Sequence, residues 1–160
     1  MANEWGNILN DLNQLRRNDR VIRIALTSVF AVHKQRIFNK GQSAESTRIG
    51  TYSTKPLSIA RKNQARATGK TFFKGGYSEY KSAVGKNPGF VNLRNTDQMM
   101  MDYTFQVIGN DTYGFGFSND FNFDKSQWAE DKYDKNIFDE SRSEGELMER
   151  ILTKELERNL

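Results

Sequence analysis

The sequence has no cysteine, a single histidine (His33) and no long apolar run. Without cysteine there is no disulfide framework, no thiolate-held zinc or iron–sulfur centre and no thiol nucleophile. One histidine excludes His-rich metal sites and any mechanism needing two imidazoles. Ser-His-Asp chemistry survives only with His33 as the base, and no Gly-x-Ser-x-Gly elbow is present to supply it with a nucleophile. No apolar stretch approaches the ~18 residues of a membrane span, and the opening MANEWGNILNDLNQLRRN lacks the apolar core of a signal peptide. The expectation is a protein made in the cytoplasm, with no membrane partner.

At 160 residues the chain is long enough for one domain, and we read 1–160 as such. Leu, Ile, Val and Phe number 36, while Asn alone numbers 15. That apolar content lies just above the roughly 20% at which chains become disordered, so it points to a thin core helped by partner surfaces. The net charge of +4 conceals an uneven distribution. Residues 1–40 carry seven basic and three acidic side chains, residues 41–95 ten and two, and residues 96–160 seven and fifteen. The segments therefore carry +4, +8 and −8.

Hydrophobic periodicity predicts a short helix over 4–16, with Trp5, Ile8, Leu9, Leu12 and Leu15 at helical spacing. Asn18 or Asp19 is expected to cap a second helix over 19–39, closed by Gly41. Its stripe is Ile22, Leu26, Val29, His33 and Ile37, flanked by Ile24, Ala25, Phe30 and Val32. This arc is wider than one buried face needs, so the helix should touch two things. Short helices are expected at 77–85 and from Leu93 to about Tyr103, the latter capped by Asn95 or Thr96. A hairpin follows, with Tyr103, Phe105 and Val107 answered by Tyr113, Phe115 and Phe117 across a turn at Asn110-Asp111. A helix over 124–133, capped at Asp124, and a C-terminal helix within 141–160, capped at Ser143, complete the chain. Leu147, Met148, Ile151, Leu152 and Leu156 line one side of the last helix, and Glu146–Arg150 is an i,i+4 pair.

Between these elements, residues 41–75 are basic and polar, with Pro56 interrupting. Segments this long without periodicity are usually functional or ordered by a partner, and a long extended arm or hairpin is expected. Arg61, Lys62, Arg66, Lys70 and Lys74, with Phe72, Phe73 and Tyr77, have the charge-plus-aromatic texture of a strand-binding surface. The acidic C-terminal segment would repel DNA or cover that surface. A basic middle and an acidic end on one chain also let one subunit meet its neighbour head to tail, a contact that generates rings when the rotation closes, with neutralisation within one chain as the alternative.

Other motifs have plainer readings. Gly69-Lys70-Thr71 lacks the upstream glycine of a phosphate loop, Gln64 standing in its place, and reads as a basic loop. Asp120-Phe-Asn122-Phe-Asp124 opens like a calcium loop, but Lys125 and Asp131 stand where Gly and Glu are required, so it reads as a turn and helix cap. His33, on an apolar stripe, reads as a packed, hydrogen-bonded imidazole. Asn110-Asp111-Thr112 matches a glycosylation acceptor and reads as the hairpin turn. No catalytic, cofactor or metal residues are assigned, and no enzyme activity is expected.

The run Leu93-Arg-Asn-Thr96-Asp-Gln-Met99, with Gly50-Thr-Tyr-Ser-Thr54 upstream and Lys70–Tyr80 leading to Val91-Asn-Leu93, resembles the neck and tail-completion proteins of tailed bacteriophages. Asp97 stands where that family commonly has glycine. The resemblance spans roughly 18–155 and implies a structural virion protein at the head–tail junction. Its implied partners are copies of itself, in rings of six or twelve, and portal, connector and tail proteins, with non-specific contact to DNA in the lumen. We therefore expect an α+β fold, a long N-terminal helix and a C-terminal helix packed on a small antiparallel sheet, with the 41–75 arm projecting. The interface residues would be Arg61, Lys62, Arg66, Lys70, Phe72, Phe73, Lys74 and Tyr77. The alternative is a DNA-binding accessory protein using the arm directly.

Overall fold

In the computed structural model the backbone is described for residues 2–60, 69–107 and 112–158, with side chains from residue 19 onward. The fold is α+β. A long helix α1 (Ala2–Phe38) leads to strands β1 (Leu57–Ala60) and β2 (Lys70–Phe73). Helices α2 (Gly76–Ala83) and α3 (Gln98–Asp102), strands β3 (Tyr103–Val107) and β4 (Tyr113–Phe117), and helices α4 (Asp120–Tyr133) and α5 (Arg142–Glu157) follow. The strands form two separate antiparallel pairs, β1–β2 and β3–β4.

The two helices expected over 4–16 and 19–39 are one. Asn18 and Asp19 do not cap a break, because neither glycine nor proline interrupts the chain there and their modest propensity cost is carried by the flanking helix. Asp19 instead pairs with Arg23 one turn on and accepts the Tyr113 hydroxyl. The stripe at 4–15 lies outside the described side chains. Along the remainder, Val21, Ala25, Val29, His33 and Ile37 are buried at four-residue spacing, so Val21 and Ala25 take the places expected for Ile22, which is exposed, and Leu26, which is half-buried. Ile22, Ile24 and Val32 stay exposed, so part of the wide apolar arc is left uncovered. α1 ends as expected near Gly41, whose φ of +61° suits glycine and whose missing Cβ makes room for the Val91 carbonyl and the Phe90 ring.

The core gathers at the C-terminal end of α1. Ile37 and Phe38 meet Ile49, Val91, Met99, Tyr103, Ala129 and Ile137, with Phe115, Phe117 and Phe138 packed against them. Residues 41–52 belong to this body and are not the start of an arm: Ser43 and Ile49 are buried, and Ala44 N–H donates to the Asn136 carbonyl at 2.7 Å. The projecting arm expected over 41–75 is thereby reduced to the β1–β2 hairpin. Within it Lys70 and Thr71 are strand residues, not a loop, because Ala60↔Lys70 and Ile59↔Thr71 are paired.

The two expected strands pair, with Tyr103 opposing Phe117, Phe105 opposing Phe115 and Val107 opposing Tyr113, so the two alternating faces meet. Its turn at 110–111 lies outside the described residues. Helix α3 is shorter than the expected 93–103, because Leu93 and Asp97 adopt positive φ of 53° and 61° and break the helix before it. Helix α4 begins earlier than expected, at the Asn119 cap, so Asp120, Asn122 and Asp124 lie inside a helix rather than in a turn or ion-binding loop. Helix α5 is capped by Ser141, not Ser143: the Ser141 side chain accepts from Glu144 N–H and the Glu144 carboxylate accepts from Ser141 N–H. The i,i+4 pair on α5 is Arg142–Glu146 rather than Glu146–Arg150. α5 packs chiefly along α1, not on the sheet.

Candidate functional site: a sealed ion cluster and two exposed faces

The chain's lone histidine sits in a polar cluster at the junction of α1, α5 and β3. His33 Nδ1 lies 3.0 Å from Glu144 Oε2, and its Nε2 lies 2.9 Å from the Tyr103 hydroxyl. A carboxylate only accepts, so in the neutral ring the Nδ1–H donates to Glu144 and Nε2 accepts from Tyr103. Arg36, three residues along the same helix, donates to Glu144 Oε1 at 2.8 Å and to the Gln42, Ile137 and Asp139 carbonyls at 3.0, 3.1 and 2.7 Å. Burial raises the affinity of Glu144 for a proton. The bonds from His33, Arg36 and Ser141 N–H outweigh this and hold the carboxyl at about 2. Burial pushes the Tyr103 phenol up.

Tyr, His and Glu in a hydrogen-bonded row have the composition of an acid–base relay. Here His33 is 2% exposed and Glu144 0%, and Arg36 and Tyr103 are equally enclosed. The cluster is closed to solvent and ties α1, α5, β3 and the 137–139 segment together. The reading of His33 as a packed, hydrogen-bonded imidazole agrees with this geometry. Among the described residues no group of three or more His, Asp or Glu is placed to hold a metal ion, and no helix is long and apolar enough to cross a membrane.

The second feature is the basic hairpin. Arg61, Lys62 and Arg66 lie outside the described residues. Lys70 and Phe72 share its outward side, where Phe72 is 64% exposed, and exposed Lys74 follows in the turn just after β2. Phe73 points the other way, edge-on to Tyr80 at 5.6 Å, and Tyr80 and Tyr52 each lie 5.3 Å from Tyr77. The expected aromatic trio is therefore split: Phe73 and Tyr77 build the root of the hairpin, and Phe72 alone is presented outward.

The same root contains Lys81, whose ammonium donates to the Arg94 carbonyl and lies 5.0 Å from the Tyr52 ring. Burial pulls its proton affinity down. Nearby, Lys86 and Arg94 both reach Asp97 at 2.7 Å, and those bonds hold its carboxyl at about 2. Three of the ten cations of segment 41–95 are thus committed inside the fold. The segments at 50–54 and 91–99 also meet: Val91 N–H donates to the Gly50 carbonyl at 2.9 Å, and the Tyr52 hydroxyl donates to Asn92 Oδ1 at 3.2 Å.

The third feature was missed in the sequence. Helix α4 buries Asn122, Ser126 and Ala129 and turns Phe121, Asp124, Trp128 and Asp131 outward. Phe121 is 62% and Trp128 61% exposed, each with a lysine over its ring, Lys125 at 4.0 Å and Lys132 at 4.6 Å. Spacing of three and four residues could have exposed this stripe, but capping logic drew attention to Asp120–Asp124 instead. No protein-family model, curated protein or solved structure matches the chain.

Proposed function

We propose that this chain is a structural subunit of a phage head–tail junction, a ring-forming neck or tail-completion protein between portal or connector and tail. The observation that carries the reading is the separation of outward charge. A basic hairpin carries Lys70 and Lys74, and an acidic helical face carries Asp124 and Asp131, on different parts of one molecule. Unlike patches on one chain can make heterologous contacts, which generate rings when the rotation between copies closes. The uncovered apolar side chains Ile22, Ile24 and Val32 on α1 add surface for neighbours. The proposed role is assembly without catalysis, in keeping with a His–Glu–Tyr row closed to solvent.

The test is mass spectrometry of gradient-purified tailed particles. The chain should co-purify with portal and tail proteins at six or twelve copies per particle. Its absence from particles that retain both would refute the reading. A DNA-binding accessory role is the second reading, favoured by exposed Lys70 and Phe72 on β2 and exposed Lys74 in the turn after it. In that case DNA affinity would fall steeply with salt and depend on Arg61, Lys62 and Arg66.

A further inference from the structure

The hairpin and α4 each present exposed aromatic rings beside charges, cations on the hairpin and aspartates on α4. Lys70 and Phe72 face the same way on β2 at two-residue spacing, and Lys74 follows in the turn just after the strand; all three are exposed. On α4, Phe121, Asp124, Trp128 and Asp131 follow at three- and four-residue spacing, and each ring is separated from the next by about 10 Å along the helix axis. One face is a ring between two cations; the other is two rings interleaved with two carboxylates. Gln127 and Asp120 extend the α4 face and are also exposed.

We propose that the β1–β2 hairpin of one copy docks on the outer face of α4 of a second copy, Phe72 entering between Phe121 and Trp128 while Lys70 and Lys74 reach Asp124 and Asp131. The inference rests on the ring reading and names the two surfaces that would meet. A second copy of this chain is the occupant because the chain itself carries both halves of the contact. The α4 face combines apolar area with aspartates, which favours a basic, aromatic-bearing partner over nucleic acid. The hairpin supplies that chemistry. Lys125 and Lys132 each cover one side of a ring and leave most of it accessible, so they need only swing aside. Each copy has one hairpin and one α4 face, so the contact is head to tail and propagates from copy to copy.

The test uses the full chain and analytical ultracentrifugation over a concentration series reaching about 1 mM. Wild type should self-associate, and the association should weaken as salt rises. A hairpin variant (Lys70→Ser, Phe72→Ser, Lys74→Ser) and a face variant (Asp124→Ser, Trp128→Ser, Asp131→Ser) should each be monomeric. Mixed together they should form a 1:1 dimer and nothing larger, since only one competent hairpin and one competent face remain. All six positions are exposed, and unchanged circular dichroism melting would show that each variant still folds. In a second design, Lys70→Glu with Lys74→Glu should abolish association, and adding Asp124→Lys with Asp131→Lys in the same chain should restore it.

A wild type that stays monomeric, or association that survives both variants, overturns the proposal. So does a hairpin variant whose main loss is affinity for a fluorescein-labelled 30-nucleotide DNA strand, which would assign that face to nucleic acid. If wild type associates but the variants do not interfere, the docking pair fails while the ring reading stands. Absence from particles fails the ring reading whatever the solution result.

Discussion

His33 and Glu144 are 111 residues apart in sequence and 3.0 Å apart in space, Nδ1 to Oε2, with both side chains enclosed. Around this contact Arg36 ties the end of α1 to the loop at Gln42 and to the 137–139 segment, and Tyr103 brings in the hairpin. One carboxylate at the start of α5 therefore bonds two residues of α1, His33 and Arg36. It also places the hairpin strand against α1, where Phe30 meets Tyr103 and Phe115 at 5.8 and 5.0 Å. The stiffness of the body that would carry the two docking faces depends on this cluster.

Glu144→Gln should therefore be costly. Removing one partner of a buried ion pair typically destabilises by about 3–5 kcal/mol. The pH dependence has a definite sign. The folded carboxyl is held at about 2, below its ordinary 4.5, so its contribution is complete above pH 4.5 and is lost as pH falls towards 2. Asp97, held at about 2 against its ordinary 3.8, loses its contribution in the lower part of that window, from pH 3.8 down. Denaturant titrations at pH 7, 5, 4 and 3 should show wild type losing stability below pH 4.5. Glu144→Gln should be weaker at pH 7 and lose less on acidification, with a residual slope from Asp97. Equal acid slopes in the two proteins would contradict this account.

Arg36→Lys should not behave as a conservative change. The guanidinium donates from Nε, Nη1 and Nη2 to one carboxylate and three carbonyls, a fork that one ammonium cannot reproduce. A loss of about 2–4 kcal/mol is expected, since buried carbonyls are left without donors. Tyr103→Phe, which removes only the hydroxyl bond to His33 Nε2, should cost about 1–2 kcal/mol. The ordering of the two variants in urea denaturation is the check.

Ser141→Ala should destabilise by about 1 kcal/mol, the usual value of a lost N-cap. Ser143→Ala, on the exposed first turn, should change stability by less than about 0.5 kcal/mol. Thermal melts of the two variants decide between the two cap positions, and a larger loss at Ser143 would contradict the observed register.

Gly50→Ala should strain the body. A Cβ there would meet the Tyr133 ring at 2.7 Å, so the ring must move or the loop must shift. Overpacking of this kind typically costs about 1–3 kcal/mol. Combining it with Tyr133→Ala should cost less than the sum of the two single changes, because the obstructing ring is gone.

The readable parts of the sequence were those governed by local rules. Alternation marked both strands of the 103–117 hairpin and the faces that meet, and the stripe through Val29, His33 and Ile37 marked the C-terminal half of the buried face of α1, while its N-terminal half runs through Val21 and Ala25 rather than Ile22 and Leu26. Boundaries moved where two short polar residues competed for one cap: Ser141 wins over Ser143 because its partner Glu144 is also held by His33 and Arg36. That preference is tertiary and has no signature within the helix. The hairpin's division of Phe72 from Phe73 follows from strand geometry, which a loop assignment had hidden. The α4 face escaped notice because its rings lie at helical spacing among aspartates, a pattern that reads as an ordinary solvated helix until the buried side is known.

The most direct test of the central claim is a reconstruction of the head–tail junction from tailed particles carrying the chain, by electron cryomicroscopy. The account predicts a closed ring in which the α1–α5 pair fits the density of each subunit, with the β1–β2 hairpin of one subunit lying on α4 of the next. A junction with no density for the chain, or a ring whose subunits meet with both of these faces in solvent, would contradict it.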